Sequence, residues 1–234
     1  YLAIVKNFEP LLLLPIAFGA LLANVPTVGV LNEPYVDGLI HVPGGLYYYI
    51  SQGIHLELFP PIILLGVGAM TDFGPLIANP RTLLLGAAAQ LGIFITMFVA
   101  VISGVFTPGE GASIGIIGAI DGPTSIYVAN QLAPELLAPI TVAAYSYMSL
   151  VPIIMPPIMR LMTTRKERAI VMPYTSREIS QRTRILFPIV VTVVVGVLVP
   201  FATPLIGMLM LGNLLRESKV VERPAAYFSA SYLK

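Results

Sequence analysis

Two long uncharged runs constrain the fold of this 234-residue chain more than any other feature of its sequence. Residues 83–105 form an apolar run of 23 residues, and residues 136–159 form a second run of 24. A helix of about 20 apolar residues matches the hydrocarbon thickness of a bilayer, so each run predicts a spanning helix. Only 11% of the residues are charged, whereas soluble domains carry about a quarter. The sequence therefore predicts an all-α integral membrane protein, folded as a polytopic helical bundle.

The basic residues are concentrated in one segment, which predicts the orientation of the chain. Seven of the 13 Lys and Arg residues lie in 160–184, and Arg81 is the only one between residues 10 and 159. Because basic segments stay on the cytoplasmic side, we predict a cytoplasmic connector at 160–184 and an outer loop at 27–57. The chain is then predicted to be a multi-pass membrane protein, in contact with the lipid bilayer.

Composition also excludes several classes of function. The net charge of +1 gives no general basicity that would suit nucleic acid. The sequence has no cysteine, which excludes disulfides, thiolate catalysis and iron–sulfur ligation. The only histidines, His41 and His55, lack ligand-like neighbours in the sequence, which argues against a zinc site.

A carboxylate interrupts a third apolar region. Asp121 follows the small and apolar residues 111–120, and the next two residues, Gly122 and Pro123, favour a break in the helix. A charge in hydrocarbon is costly and usually functional. A broken helix at membrane depth must be packed in protein or line a wet cavity. We therefore interpret Asp121 as an ion or proton site; the alternative is a helix cap at headgroup level.

Counting membrane crossings predicts a re-entrant hairpin around this carboxylate. If residues 60–70 cross inward, the first long run returns outward, and the second must start outside to reach the basic connector. The segment between the two runs then cannot cross once, so it should enter the membrane and return. We predict half-helices at about 112–120 and 124–132, in a hairpin over 111–132 whose tip carries Asp121.

Neutral oxygens near Asp121 would suit a hard cation, which prefers oxygen ligands. Three candidates follow Asp121 on the second half-helix, and further hydroxyls lie in the middle of the run 136–159. The first group is Thr124, Ser125 and Asn130, and the second includes Tyr145, Tyr147 and Ser149. By residue type alone, each could equally cap a helix or form a hydrogen bond between helices.

Two short segments of the chain are similar in sequence, which suggests an internal repeat. Residues 19–24 (GALLAN) resemble residues 212–217 (GNLLRE), and each follows an apolar run that contains proline. Transporters are often built from inverted repeats whose broken helices meet at a midplane site. We predict one repeat plus the start of a second inverted repeat. The predicted divisions are a membrane repeat at 1–159, the connector at 160–184, the start of a second repeat at 185–223 and an atypical tail at 224–234.

Several short motifs are specific enough to indicate a family. They are FEPLLLLP at 8–15, LGVGAMTDFGPL at 65–76, NPR at 79–81, GIIG at 115–118, DGPT at 121–124, AAYSYM at 143–148 and GNLLRES at 212–218. Together they resemble the membrane β-subunit of the sodium-pumping, biotin-dependent decarboxylases, which act on oxaloacetate, methylmalonyl-CoA or glutaconyl-CoA. The resemblance covers nearly the whole chain to about residue 223.

The resemblance implies a division of labour among subunits. In this family a biotin-carrying carboxyltransferase α-subunit moves a carboxyl group onto biotin, and the β-subunit releases it as CO₂ while exporting Na⁺. The aspartate of DGPT, here Asp121, is implied to bind Na⁺ and to be essential for decarboxylation. The second tyrosine of YSYM, here Tyr147, is implied in proton delivery. The implied cofactors are Na⁺ and a partner's biotin, and the implied partners include a small membrane γ- or δ-subunit, with a homo-oligomer also compatible.

Two other functions stay open from the sequence. A secondary Na⁺/carboxylate symporter would have the same composition and a similar broken-helix site. A passive structural subunit would use Asp121 only as a cap. The family also continues through a second repeat, which residues 224–234 do not resemble, so we expect this length of chain not to pump Na⁺ alone.

Overall fold

The computed structural model describes residues 1–7, 10–25, 29–171 and 179–219, so the predicted tail at 224–234 lies outside the described residues. Within these ranges the fold is helical apart from one short antiparallel hairpin, and the predicted all-α polytopic fold is confirmed. The elements are α1 (Pro10–Asn24), β1 (Tyr35–Asp37), β2 (Ile40–Val42), α2 (Leu46–His55), α3 (Phe59–Met70), α4 (Gly74–Ala78), α5 (Leu83–Ile102), α6 (Pro108–Gly115), α7 (Gly122–Leu132), α8 (Leu137–Met162), α9 (Arg165–Arg168), α10 (Gln181–Leu198) and α11 (Thr203–Ser218).

Within the described residues, three helical segments are long and apolar enough to cross a membrane, by length and composition. They are Pro80–Ile102, which contains α5, Pro134–Met162, which contains α8, and α10 itself. The two long runs of the sequence therefore form the helices predicted for them. Residues 60–70 lie in α3, which meets α2 at a bend of 72°, so the pair is a broken segment rather than one straight span.

α6 and α7 form a helical hairpin around Asp121. A Cβ atom added at Gly109, in the first turn of α6, would lie 2.5 Å from the carbonyl oxygen of Leu132 at the end of α7. The two ends of the segment are therefore in contact. The chain reverses between them after a 3₁₀ turn at Ile116–Ala119. This is the chain path that the crossing count predicts.

Local capping explains where this hairpin begins. α6 starts at Pro108, four residues before the predicted position, because Thr107 and Glu110 form a reciprocal capping box. α7 starts at Gly122 with a proline in its first turn, where the missing N–H breaks no helical hydrogen bond. The hairpin therefore covers residues 108–132 rather than 111–132.

The tip of the hairpin lies near the middle of α5. Gly111 packs against the last two turns of α5, and Gly115 packs against the carbonyl oxygen of Ile93, so α6 runs antiparallel to α5. Gly118 still lies beside Ile93, near the centre of the 20-residue helix. Asp121, three residues further on, is therefore at about half the height of an apolar helix long enough to span a membrane.

The ends of α3 and α11 meet the start of α10 in one polar cluster. Arg184 of α10 pairs with Asp72, just after α3, at 3.4 Å, and with Glu217 of α11 at 3.6 Å. The side chains of Asn213 and Arg216 in α11 also donate to carbonyl oxygens at the end of α3, at 3.0 and 2.8 Å. α3 therefore ends on the same side of the protein as the start of α10, which follows the basic segment. This agrees with the predicted direction of residues 60–70.

The predicted start of the second repeat forms another helical hairpin. α10 and α11 are joined by a 3₁₀ turn at Pro200–Ala202, and Gln181 donates to the carbonyl oxygen of Glu217 at the open end. The tip of this hairpin contacts α7, where the hydroxyl of Tyr127 donates to the carbonyl oxygen of Phe201 at 3.1 Å. The two hairpins therefore touch each other. Their relation as inverted repeats stays a prediction.

α3 and α11 pack side by side in the same direction through glycines. A Cβ atom at Gly68 would collide with the carbonyl oxygen of Leu209, and one at Gly212 would collide with the carbonyl oxygen of Leu65. Small residues let helix backbones approach this closely in membranes. The hydrophobic cluster of Leu64, Leu205 and Tyr127 then joins the pair to α7.

Candidate functional site

Asp121 occupies the break between the 3₁₀ turn and α7. Its backbone is extended (φ −131°, ψ 100°), and it stands at the N-cap position of α7. Its side chain accepts no capping hydrogen bond from the backbone of α7. The alternative interpretation as an ordinary helix cap therefore lacks the hydrogen bond that defines such a cap. The half-buried carboxylate is not used to cap the backbone of α7.

Two hydroxyls predicted for the site do lie beside Asp121. Thr124 Oγ1 donates a short hydrogen bond to Asp121 Oδ2, and Ser125 Oγ donates to the Asp121 carbonyl oxygen at 2.9 Å. A hydroxyl that donates one hydrogen bond keeps lone pairs that can coordinate a cation. Thr124 is therefore well placed to act with the carboxylate, whereas Ser125 secures the backbone of the first turn.

The residue before Asp121 is conformationally strained. Ile120 has φ of +57°, in the left-handed region. A β-branched side chain is a true outlier there, and such strain costs roughly 1–3 kcal/mol. The reversal of the chain at the hairpin tip requires this conformation, which directs residue 121 away from the 3₁₀ turn.

Tyr145 forms a wall of the site. A Cβ atom at Gly122 would lie 2.7 Å from Cζ of Tyr145 and 3.0 Å from its hydroxyl oxygen, so the ring lies against the backbone next to Asp121. Tyr147 lies two residues further along α8, about 200° around the helix. The three atoms nearest to a Cβ atom at Gly122 all belong to Tyr145.

The structure does not bring Asn130 to Asp121. Asn130 lies near the other end of α7, about 13 Å away along the helix. Its side-chain amide donates to Glu57 Oε1 at 3.0 Å and to the carbonyl oxygen of His55 at 3.1 Å. This separation along α7 is too large for Asn130 and Asp121 to share one ion, so the structure does not support Asn130 as a ligand.

Ser149 is buried within α8, one turn after Tyr145. Its hydroxyl donates to the carbonyl oxygen of Ser146 at 2.7 Å, which is a bond within the helix. It therefore shares a face with Tyr145, as the sequence predicts, without a described contact to Asp121.

Two polar groups at the hairpin were missed from the sequence. Ser113 of α6 is fully buried, and its hydroxyl has no hydrogen-bond partner among the described residues. Tyr127 is buried where α7 meets the tip of the second hairpin. The sequence alone points to three of the five uncharged polar residues in 111–130, and only tertiary contacts separate the roles of all five.

The charges around Asp121 limit what it can bind. Among the residues that the structure describes, both ion pairs belong to Arg184, and Asp121 has none. No cluster of three His, Cys, Asp or Glu side chains occurs in the same ranges. A single carboxylate with neutral oxygens suits a hard, singly charged cation better than a multivalent metal ion.

The fold and the site define a polytopic membrane protein with a carboxylate at the tip of a broken-helix hairpin, an arrangement typical of ion transport. Comparison with known families is specific: the family described as "Na+-transporting oxaloacetate decarboxylase beta subunit" matches residues 1–233. The chain belongs to this family, and the resemblance seen in the sequence motifs is confirmed.

Individual relatives agree with this assignment. The chain is 58% identical to the methylmalonyl-CoA decarboxylase subunit beta of Propionigenium modestum, over 95% of this chain and 60% of the relative. It is 55% identical to the glutaconyl-CoA decarboxylase subunit beta of Acidaminococcus fermentans, over 95% and 56%. It is 46% identical to the oxaloacetate decarboxylase beta chain of Klebsiella pneumoniae, over 95% and 63%. The chain thus spans about 60% of the length of the curated relatives it matches.

Proposed function

We propose that this chain acts in a Na⁺-translocating decarboxylase as its β-subunit, releasing CO₂ from carboxybiotin while Na⁺ is exported across the inner cell membrane. One observation carries the proposal: the carboxylate of Asp121 stands without an ion pair, among the described residues, at the tip of a hairpin halfway along α5. The names of the relatives support the decarboxylase chemistry, and they favour it over a Na⁺/carboxylate symporter.

Na⁺ is the transported substrate, and Asp121 is its principal ligand. Ionised Asp121 supplies the negative charge, and the Thr124 hydroxyl supplies a neutral oxygen beside it. The ring of Tyr145 closes one side of the site and restricts access of water. Burial of a carboxylate without a cation is costly, so Na⁺ or a proton must accompany Asp121 through the cycle.

Carboxybiotin reaches the β-subunit from the cytoplasmic side, carried by a biotin-bearing carboxyltransferase α-subunit. In the reaction the C–N bond between the carboxyl group and biotin breaks, CO₂ leaves, and the biotin nitrogen takes up a proton. By the family resemblance Tyr147 delivers that proton. None of the four lysines, Lys6, Lys166, Lys219 and Lys234, stands in a biotin-attachment context, so the biotin belongs to the partner.

The remaining assignments follow from the same proposal. A small membrane γ- or δ-subunit joins the complex, and the lipid bilayer covers the apolar faces of α5 and α10. Residues 1–159 act as a membrane repeat and 160–184 as its cytoplasmic connector. Residues 185–223 begin a second repeat that is related to the first by inversion.

The test is CO₂ release from carboxybiotin by the β-subunit in its complex, with and without Na⁺. We expect release to be stimulated by Na⁺ and to stop when avidin sequesters the biotin. Na⁺-coupled uptake of a carboxylate without any biotinylated partner would instead support the symporter and contradict the proposal.

A further inference from the structure

The outer end of α7 is held by a carboxylate that the ion site does not use. Glu57, in the bend between α2 and α3, accepts hydrogen bonds at Oε1 from Asn130 at 3.0 Å and from Gln131 at 2.5 Å. Asn130 also donates to the carbonyl oxygen of His55 in the same bend. One carboxylate oxygen therefore binds two consecutive side-chain amides of the helix that begins after Asp121.

The bend that carries Glu57 is tightly built. Glu57 has φ of +58°, a left-handed conformation that is unfavourable for a residue with a side chain. The backbone N–H groups of residues 56–58 all donate to carbonyl oxygens of α2. The ring of Phe59 packs against Gly53, leaving no room there for a Cβ atom. The carboxylate is thus fixed by the fold of the bend.

α7 connects the hydrogen bonds at Glu57 to the ion site at Asp121. An α-helix rises 1.5 Å per residue, so Asn130 lies about 13 Å along the helix axis from Asp121. At the inner end, the close contact between Gly122 and Tyr145 leaves little space for the helix to move. Because the helix moves as a unit, a shift of its outer end would press the hairpin tip against the ring of Tyr145 and displace Asp121.

We propose that Glu57 is a positioning residue: by accepting from Asn130 and Gln131 it fixes the height of α7 and, through it, the position of Asp121. This inference rests on the proposed function of Asp121 in Na⁺ binding. Glu57 acts as a hydrogen-bond acceptor, so a neutral acceptor of the same length should largely replace it. If its negative charge instead attracted Na⁺ to the outer surface, a neutral replacement would fail.

The experiment compares Glu57→Gln with Glu57→Gly in the complete decarboxylase complex. Glutamine keeps an acceptor oxygen, whereas glycine removes the side chain and suits the left-handed backbone. Two quantities are measured: the Na⁺ concentration that gives half-maximal decarboxylation, and the maximal rate. The matched control is Glu33→Gly, at an exposed acidic residue of the outer loop.

For Glu57→Gly we expect the half-saturating Na⁺ concentration to rise about tenfold, because hydrogen bonds to a charged acceptor are strong. The maximal rate should change less. Glu57→Gln should stay within about twofold of wild type, because neutral hydrogen bonds are weaker but still form. Asn130→Ala should add little to the effect of Glu57→Gly, since both remove the same contact.

The following results would overturn the inference. Equal effects of Gln and Gly would indicate a role of charge, and an unchanged Na⁺ requirement in Glu57→Gly would exclude positioning. If Glu57→Gly lowered both the maximal rate and the amount of folded complex, while the Na⁺ requirement stayed unchanged, the role of Glu57 would be purely structural.

Calorimetric titration of the complex with Na⁺ alone separates the two proposals. Wild-type binding that depends on Glu57 without any decarboxylation would contradict the proposed function and leave this inference standing, whereas a wild type that binds no Na⁺ would overturn both.

Discussion

The ring of Tyr145 lies against Gly122, so close that a Cβ atom on residue 122 would sit 2.7 Å from the carbon that bears the hydroxyl group. Gly122 directly follows Asp121. The contact therefore seats the tip of the hairpin on α8 at the level of the carboxylate. It also explains why this position in the DGPT motif requires a residue without a side chain.

The first prediction concerns this contact. Gly122→Ala should weaken Na⁺ binding about tenfold, because overpacking of a filled site costs roughly 1–3 kcal/mol and must displace the ring or the tip. Calorimetric titration with Na⁺ measures the effect. The control is Gly92→Ala in α5, where a Cβ atom would meet no atom within 4 Å. Equal Na⁺ affinities for the two variants would show that the contact has no role in the site.

Two substitutions distinguish the role of the Tyr145 ring in Na⁺ binding from the role of its hydroxyl group. Tyr145→Phe keeps the surface that lies against Gly122, so we expect Na⁺ affinity close to that of wild type. Tyr145→Ala removes the ring from the side of the site, and because Tyr145 is partly buried we expect a loss below the ~3–5 kcal/mol typical of a fully buried aromatic residue. The Na⁺ dependence of CO₂ release distinguishes the two. Similar losses in both variants would indicate that the hydroxyl group, not the ring, is needed.

The glycine contacts between α3 and α11 predict that alanine substitutions at Gly68 and Gly66 have different effects on the free energy of unfolding. Gly68→Ala should lower the free energy of unfolding by about 1–3 kcal/mol, because its Cβ atom would collide with the carbonyl oxygen of Leu209. Gly66→Ala, half a turn earlier, meets open space and should be neutral or stabilising. Thermal unfolding of the purified protein in detergent gives the comparison. The opposite order of stability would exclude the close contact between α3 and α11 at Gly68.

Glu167 predicts a local dependence on pH in the connector. Its carboxylate accepts hydrogen bonds from the backbone N–H and the hydroxyl of Thr164, at 2.7 and 2.8 Å, and these bonds hold the pKa of Glu167 below its usual value. Because the pKa of Glu167 is lower in the folded chain than in the unfolded chain, its carboxylate stabilises the first turn of α9 at pH values above the unfolded-state pKa. This stabilisation is lost as the pH falls through the folded-state pKa.

Hydrogen exchange of the amides in 165–168, corrected for intrinsic rates, measures this loss on acidification. Glu167→Gln is the control, since glutamine can accept the same backbone hydrogen bond without titrating. Protection that falls equally in the wild type and in this variant would assign the change to another group.

Much of the architecture can be predicted from the sequence because its causes are local. Uninterrupted apolar length predicts α5 and α8, and the position of basic residues predicts which ends face the cytoplasm. The break at Asp121-Gly122-Pro123 predicts the hairpin tip, and the count of crossings predicts that the chain turns back there. The structure agrees on the two long helices and on the reversal of the chain at residues 121–123, while local capping determines the exact starts of α6 and α7. Which ends face the cytoplasm stays a prediction.

The partners of individual polar residues could not be predicted in this way. Asn130 and Thr124 are both uncharged oxygen-bearing residues close to Asp121 in sequence, yet Asn130 binds Glu57, 73 residues away. The contact of Tyr127 with Phe201 likewise joins residues 74 apart. Such pairs depend on how α3, α7 and α11 pack, which hydrophobic patterning along one helix does not specify.

The most direct test of the central claim is the Na⁺ dependence of carboxybiotin decarboxylation by the complete complex with Asp121→Asn. Asparagine preserves the size of the side chain and removes the charge that we assign to Na⁺ binding. The control is Glu135→Gln, at an exposed acidic residue just beyond α7. We predict that Asp121→Asn abolishes Na⁺-stimulated CO₂ release while Glu135→Gln retains it. Equal Na⁺ stimulation in wild type and Asp121→Asn would contradict the assignment of the ion site.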